Sequence, residues 1–289
     1  MGHLNVRFYV AHATEALAGL AAALAMTRAF TLHATSTLVV REHHIRFLKE
    51  ARVGDPLHLT VGLVDLDETG ATILQQLFHS LTGERSAVVQ TRVAHVRAKD
   101  GQAFRWPASA RALARDLMMA IPAGCEARSL VPGEPAEAAT LRRAEELGLV
   151  RYSAGAFTPR DCDVFGRVGA AELAGRLGDG GAQAVGAIRD ATGPPADGAG
   201  PMGMAVVEYR LVYRRWPGAG DRFDTRWWFK AAEPRRLRQS HWMLDPETGE
   251  PWAEAHAVLV PFDLERRKAT TLPAHALEAL AAKVVRVEG

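Results

Sequence analysis

Several things are scarce in this chain of 289 residues, and each scarcity closes off a class of function. Cysteine occurs twice, at Cys125 and Cys162, far apart and without metal-ligand spacing around either. Two isolated thiols suit a reducing compartment, where they behave as small buried hydrophobes, and sequence leaves their pairing open. Net charge is thin: 35 basic against 33 acidic side chains give +2, with no basic stripe. No field of one sign is available for nucleic acid, so nucleic acid is not expected as a partner. Long apolar runs are missing. The richest, Ala16–Met26 behind Arg7, falls short of the roughly 20 residues that cross a bilayer. It has the outline of a signal-peptide core, but His12 and Glu15 interrupt the approach to it. No membrane partner is expected, and the expected location is the cytoplasm.

What is present is an ordinary soluble composition, 48% hydrophobic and 24% charged, in a chain long enough for one large core or two domains. Gly2-His3-Leu4-Asn5 reads as a tight turn opening a helix over Tyr9–Phe30. That helix is apolar on nearly every face, so it must be surrounded by protein. Strand-like runs follow at 37–48, 57–66, 71–81 and 87–98, separated by Gly54-Asp55-Pro56, Asp67-Glu68-Thr69-Gly70 and Thr82-Gly83-Glu84. Short loops between four successive strands predict an antiparallel meander. Helical stretches at 108–119 and 136–147 flank a Pro/Gly loop, and residues 107–147 read as a linker between domains 1–106 and 148–289.

The second domain rewrites the first. A strand at 148–158 leads to the turn Asp161-Cys162-Asp163-Val164-Phe165-Gly166-Arg167-Val168, and a helix is expected over 170–191. After a Pro/Gly loop at 192–203 come strands at 205–213, 221–230, 239–244 and 253–261. Gly54-Asp55 matches Gly220-Asp221 at a shift of 166. Glu42 falls on Glu208, Phe47 on Tyr213 and Thr82-Gly83-Glu84 on Thr248-Gly249-Glu250 at the same shift, while Gly2 falls on Gly166 at 164. Several independent matches at one offset mark a tandem duplication.

A turn, a buried helix and a wrapping meander together resemble the hotdog fold. The residues are more specific than the outline. Gly2-His3-Leu4-Asn5 with Tyr9 is similar to the Asp-x-x-Gly-His-x-Asn-x-x-x-Tyr signature of acyl-CoA thioesterases. Glu42-His43-His44-Ile45-Arg46-Phe47-Leu48-Lys49-Glu50 resembles the Glu-x-His-x-x-Tyr-Leu-x-Glu strand of the carnitinyl/betainyl-CoA branch. The resemblance implies an α+β chain of two tandem hotdogs forming an intrachain pseudo-dimer, with a homodimer of double hotdogs as a further level of assembly. It implies a thioesterase without a cofactor, acting on acyl-CoA, or alternatively on acyl-ACP, or a catalytically inactive binder of acyl-CoA. In the first repeat the family's Asp position precedes Met1. In the second it is Asp163, but Arg167 and Gly169 replace the His and Asn. Either the start is shortened or the repeats have diverged into half-sites.

Thioester hydrolysis needs a group that activates water and donors for the oxygen that becomes negative. A helix N-terminus supplies the donors and a positive dipole end. His3 and Asn5 are candidates to orient thioester or water, although Asn5 equally reads as a helix cap. Asp163 is the carboxylate candidate of the second turn, with a turn or cap role as its alternative. Glu42 and Glu208, each in an apolar strand, must be paired if buried. They face the site between the repeats, or pair with an arginine such as Arg41 or Arg210. Gly2, Tyr9, His44, Gly166 and Arg167 complete the substrate-binding candidates. His43 and His44 are adjacent on a strand and point to opposite faces, so they do not chelate, and no metal site is expected. Trp216, Trp227, Trp228, Trp242 and Trp252 all fall in the second half, as packing or as the lining of an acyl pocket.

Overall fold

Asn5 starts the first helix. Its backbone is extended and its Oδ1 accepts the Arg7 amide at 2.9 Å, which fixes the start of α1 (Val6–Ala23). In a computed structural model, which describes residues 3–135, 137–193 and 201–287, this helix buries Tyr9, Val10, Ala13, Leu17, Leu20 and Ala21. Gly2 and most of the Pro/Gly loop at 192–203 lie outside the described residues. The helix stops at Ala23, seven residues before the expected Phe30, because Ala25 turns left-handed at φ 60°. Met26 N then bonds Ala21 O and Ala25 N bonds Ala22 O, closing the end as a Schellman motif without glycine. No glycine or proline in the sequence announces that stop.

The strands of the first repeat are β1 (Ser36–Phe47), β2 (Leu57–Leu66), β3 (Gly70–His79) and β4 (Arg85–Arg97). After α2 (Ala108–Ala114) and α3 (Leu141–Glu146) the second repeat brings β5 (Val150–Ala156), α4 (Ala170–Gly178) and α5 (Gly181–Thr192). Its strands continue as β6 (Met202–Tyr213), β7 (Arg222–Glu233), β8 (Arg236–Leu244), β9 (Pro251–Asp263) and the short β10 (Lys268–Ala269), before α6 (Ala274–Ala281). The sheet runs β2-β3-β4-β1-β6-β9-β8-β7-β5, with β10 on β9. The expected meander is therefore corrected: β1 pairs with β4 instead of β2, and β6 pairs with β9 instead of β7. In each repeat the first strand after the helix crosses over to become the seam. Ser36 and Met202, Gly70 and Arg236, and Arg85 and Pro251 begin equivalent strands at the shift of 166. Register breaks recur at Val40/Glu42 and Val206/Glu208, so even the irregularities are duplicated.

The expected helix over 170–191 is two helices. The break falls at Asp179-Gly180, where a Cβ on Gly180 would stand 2.7–2.8 Å from His241 and Tyr152. Tyr152 donates its hydroxyl to Leu177 O at 3.1 Å, taking one carbonyl out of the helical ladder. On the inner face α1 and α4 touch, with Arg7 paired to Glu172 and Val6 against Gly178.

The seam is antiparallel, pairing Glu42 to Val212 through Arg46 to Glu208. Its central pair, His44 with Arg210, consists of repeat counterparts, so a pseudo-two-fold axis passes between them. On the outer face His44 Nε2 meets Glu208 Oε1 at 2.8 Å, and Arg210 donates Nε and Nη2 to the two Glu42 oxygens at 3.0 and 3.2 Å. These are the same interaction generated twice by the axis. All four side chains are almost fully buried.

What buries them is the linker. Between α2 and β5 it crosses the outer face as a strap, with only Leu141–Glu146 helical and the short 3₁₀ turn Arg115–Leu117 replacing the end of the expected 108–119 helix. Gly62 lets it pass: a Cβ there would lie 2.8 Å from Leu117 O and Met119 Sδ. Met119, Ile121 and Cys125 cover Leu74 and Val88 on the first repeat. Ala139, Leu141, Ala144 and Leu147 cover Trp228 and Trp242 on the second. Between those patches Gly133 N bonds Glu42, and the amides of Arg128 and Ser129 bond Glu208.

Removing one partner of such a buried pair leaves the other charge uncompensated. Arg210→Ala is expected to lower unfolding free energy by about 3–5 kcal/mol, read from urea denaturation followed by tryptophan fluorescence. A change below about 1 kcal/mol would show that the seam pairs are dispensable.

Candidate active site

The two helix N-terminal turns occupy equivalent places. His3 bridges to Arg52, and its counterpart Arg167 bridges to Gly218, itself the counterpart of Arg52. In chemistry they differ. At the first turn His3 is exposed and Asn5 Oδ1 is committed to capping. Tyr9 is buried against Phe47, edge to face at 5.0 Å, and burial pushes its hydroxyl up to about 12. None of its atoms lies open at the turn.

At the second turn Asp163 Oδ1 accepts the amides of Phe165 and Arg167 at 2.8 and 3.1 Å. Its Oδ2 takes the Arg167 guanidinium at 3.2 and 3.0 Å, which also lies over the Phe165 ring. Gly166, at φ 76°, supplies the left-handed residue this tight loop requires. Asp161 is buried and closes a capping box with Thr158, whereas Asp163, although it also closes its own turn, keeps 38% side-chain exposure. The helix that follows starts at Gly169, which has no side chain to cap it. The Glu172 and Leu173 amides turn back to Gly169 O, and the amides ahead of them in α4 have no side-chain cap of the kind Asn5 gives α1. Arg41, from β1 of the other repeat, lies close to Arg167, and burial together with that neighbouring charge depresses its pKa.

Glu42, Glu208 and His44 are elsewhere, on the outer face beneath the strap. Burial raises the Glu208 pKa, but the His44 imidazole and the Arg128 and Ser129 amides outweigh it and hold the carboxyl below its ordinary range. Both glutamates have their oxygens fully engaged. Of the two arginines named for them in sequence, Arg210 is the partner of Glu42 and Arg41 faces the turn instead. On the same face Glu137, Glu254 and His256 bring ligand atoms within 4.8 Å of one another. Lys230 and the Trp242 indole already bind Glu137, and Arg214 binds Glu254 at 3.3 Å. The protein neutralises this cluster itself. A cavity of about 290 Å³ beside the strap, lined by Arg46, Arg128, Arg235, Arg236 and Glu208, contains none of the turn residues.

The inner face holds groups that sequence reasoning missed as a set. His43 Nδ1 meets the Tyr213 hydroxyl at 2.9 Å, and Tyr213 stacks on Trp216 at 4.9 Å. Tyr152 meets His241 edge to face at 5.7 Å. The repeat arithmetic could have found part of it, since Gln75 and Thr91 fall on His241 and Ala257 at the shift of 166. Burial depresses both His43 and His241 to about 3, His241 with help from His256.

Among known proteins, the chain matches the thioesterase-like superfamily over residues 1–114 and 157–280. No curated protein matches it in sequence. Its fold is shared with a 12:0-ACP thioesterase from Umbellularia californica at 13% identity and TM-score 0.64, over 90% of this chain and 88% of that one. An acyl-ACP thioesterase from Bacteroides thetaiotaomicron is similar at 9% identity and TM-score 0.62, over 89% and 90% of the two chains. Both likenesses span the two repeats and the seam.

The two buried histidines give the fold a pH dependence with a definite sign. In the folded chain both stay neutral down to about pH 3, whereas unfolded histidine takes up a proton below about 6.5. The unfolded state therefore binds more protons in that window, and stability falls as pH drops through it. Each histidine contributes a slope of about 1.4 kcal/mol per pH unit. His241→Gln is expected to halve their joint slope in urea titrations between pH 6 and 4. An unchanged slope would mean His241 is not the buried neutral group described.

Proposed function

The chain belongs to the thioesterase-like superfamily and is a thioester hydrolase, and we propose that it cleaves acyl-CoA at the α4 turn. The observation that carries this reading is the uncapped start of α4 beside a half-exposed carboxylate, Asp163. A thioester whose carbonyl oxygen points at the first amides of α4 has donors where negative charge will develop, reinforced by the helix dipole. Asp163 takes a proton from a water that attacks the carbonyl carbon. A C–O bond forms, the oxygen becomes negative against the helix end, and the C–S bond then breaks. The proton passes to the departing thiolate, leaving a free acid and CoA.

Arg167 holds Asp163 in one orientation through two guanidinium bonds and so serves as its positioning residue. It stands where the family signature has His, and Gly169 where it has Asn. The first replacement gives the carboxylate a fixed charge partner; the second removes a cap and frees the helix end. The first turn, its Asn5 committed to α1, has a supporting part. Glu42, Glu208 and His44 hold the seam and strap and stand outside the chemistry in this reading.

A second reading, hydrolysis of acyl-ACP, is favoured by one specific observation. The solved thioesterases from Umbellularia californica and Bacteroides thetaiotaomicron that share both repeats are named for ACP substrates.

Thiol release should be measured on matched panels of acyl-CoA and acyl-ACP. Asp163→Asn is expected to lower kcat by about 10²–10⁴ with little change in KM. Asn5→Ala is expected to lower stability by about 1 kcal/mol through loss of the cap, with kcat nearly unaffected. Full kcat in Asp163→Asn would move the chemistry away from this turn. Faster turnover of the ACP panel would select the second reading.

A further inference from the structure

From the α4 turn a line of polar groups leads into the interior of the second repeat. It begins beside the turn, where Val168 N bonds Pro217 O and Arg167 bridges Gly218. Trp216 is the next residue back. It stacks on Tyr213, which bonds His43, and Tyr209 follows two pleat repeats along the same face of β6, past Leu211. Beyond Tyr209 stand Tyr152, close enough for the two hydroxyls to influence each other, and His241 against the Tyr152 ring.

Four atoms along this line are buried and have no hydrogen-bond partner among the described residues: Trp216 Nε1, His43 Nε2, Tyr209 Oη and His241 Nδ1. Tyr209, His43 and His241 are at least 97% buried. Buried polar atoms are rarely left unpaired, because each unmade bond costs roughly 1–3 kcal/mol. Among the described residues twelve buried side-chain atoms lack a partner, and these four are the ones that follow a single line from the α4 turn.

The first repeat shows how the same positions are closed off. There Thr91 donates to Gln75 Oε1 and Gln75 donates to Ala13 O, both at 2.6 Å, so every group is satisfied internally. In the second repeat the counterparts are Ala257 and His241, and the equivalent helical carbonyl, Leu177 O, is taken by Tyr152. Three alanines, Ala253, Ala255 and Ala257, separate Tyr213, Leu211 and Tyr209 on β6 from Met243, His241 and Gln239 on β8. At the Gln75/His241 and Thr91/Ala257 positions only the first copy keeps its internal partners, whereas His43 and Tyr209, counterparts at the same shift, each carry an unpaired atom.

We propose that this inner face of the second repeat is the acyl-tail subsite, and that it selects acyl groups bearing a neutral hydrogen-bonding oxygen, a hydroxyl or a ketone. Such an oxygen meets the Tyr209 hydroxyl and the His43 and His241 ring nitrogens, which a plain alkyl tail leaves unpaired. A carboxylate is disfavoured, since both histidines are held neutral by burial and no cation stands among the groups named. The inference rests on the reading that hydrolysis occurs at the α4 turn.

The test compares hydroxyacyl- and oxoacyl-CoA, with the oxygen moved carbon by carbon, against alkyl acyl-CoA of equal length. Wild type is expected to prefer one oxygenated series by at least about tenfold in kcat/KM, with ω-carboxyacyl-CoA no better than alkyl. Tyr209→Phe deletes only an oxygen that the unliganded protein leaves unpaired. It should therefore hold or raise Tm while collapsing the preference to within about twofold. Ala257→Thr, which puts back the first repeat's side chain next to Tyr209, should also erode the preference. Equal rates for oxygenated and alkyl substrates in wild type, or an undiminished preference in Tyr209→Phe, would overturn the proposal. So would a Tm loss in Tyr209→Phe, which would mean the hydroxyl already has a partner such as a buried water. No thiol release from any substrate would instead sink the hydrolase reading, and the Tm measurement would still stand.

Discussion

Two carboxylates buried at the β1–β6 seam hold the molecule together, because everything else meets there. Glu42 comes from one repeat and Glu208 from the other, and each is bonded to a nitrogen-bearing side chain across the pseudo-two-fold axis. The two partners differ in how many bonds they bring, and the strap makes up the difference. Arg210 brings two N–H groups to Glu42, and the strap adds the Gly133 amide. His44 brings one to Glu208, and the strap adds the Arg128 and Ser129 amides. Each carboxylate ends with three donors. Balanced solvation of this kind is what a buried ion pair requires if it is not to destabilise its surroundings.

With the seam fixed, the inner face follows. Antiparallel pairing centred on His44 and Arg210 sends Ile45, Tyr209, Leu211 and Tyr213 to the side that packs on the helices. A slip of one residue would exchange the two faces and bury the aromatic row under the strap. The same register brings Arg41 near enough to Arg167 for the two charges to feel each other, so the environment of the α4 turn includes a group from the other repeat.

The duplication and most strands were legible because their signals are local. Turn glycines recur at fixed offset, and Gly54 and Gly220 adopt nearly the same φ, 95° and 94°. The difference between the turns was legible too, since Gly169 stands openly in place of Asn. Long-range contacts were not. The break at Gly180 answers to His241 and Tyr152, which arrive from β8 and β5, and helical propensity cannot register them. Glu42 and Glu208 looked equally suited to catalysis or pairing until the strap was seen to supply their remaining donors. Residues 126–135 lack period and regular elements because they follow the surface of other strands through bends and turns, and their meaning lies in what they cover. Strand order is illegible for a related reason: short loops suggest neighbours, and only the seam shows that β1 and β6 leave the strands that follow them.

The strap also orders assembly in time. Its polar contacts attach to one glutamate from each repeat, and those glutamates are correctly oriented only after the seam has paired. It therefore cannot dock on a lone first repeat emerging from synthesis, nor on two repeats that have met out of register. Closing it is a check that the preceding steps succeeded, made by a segment with little structure of its own. Until it closes, the outer face of the sheet, with Trp228 and Trp242, stays open to water.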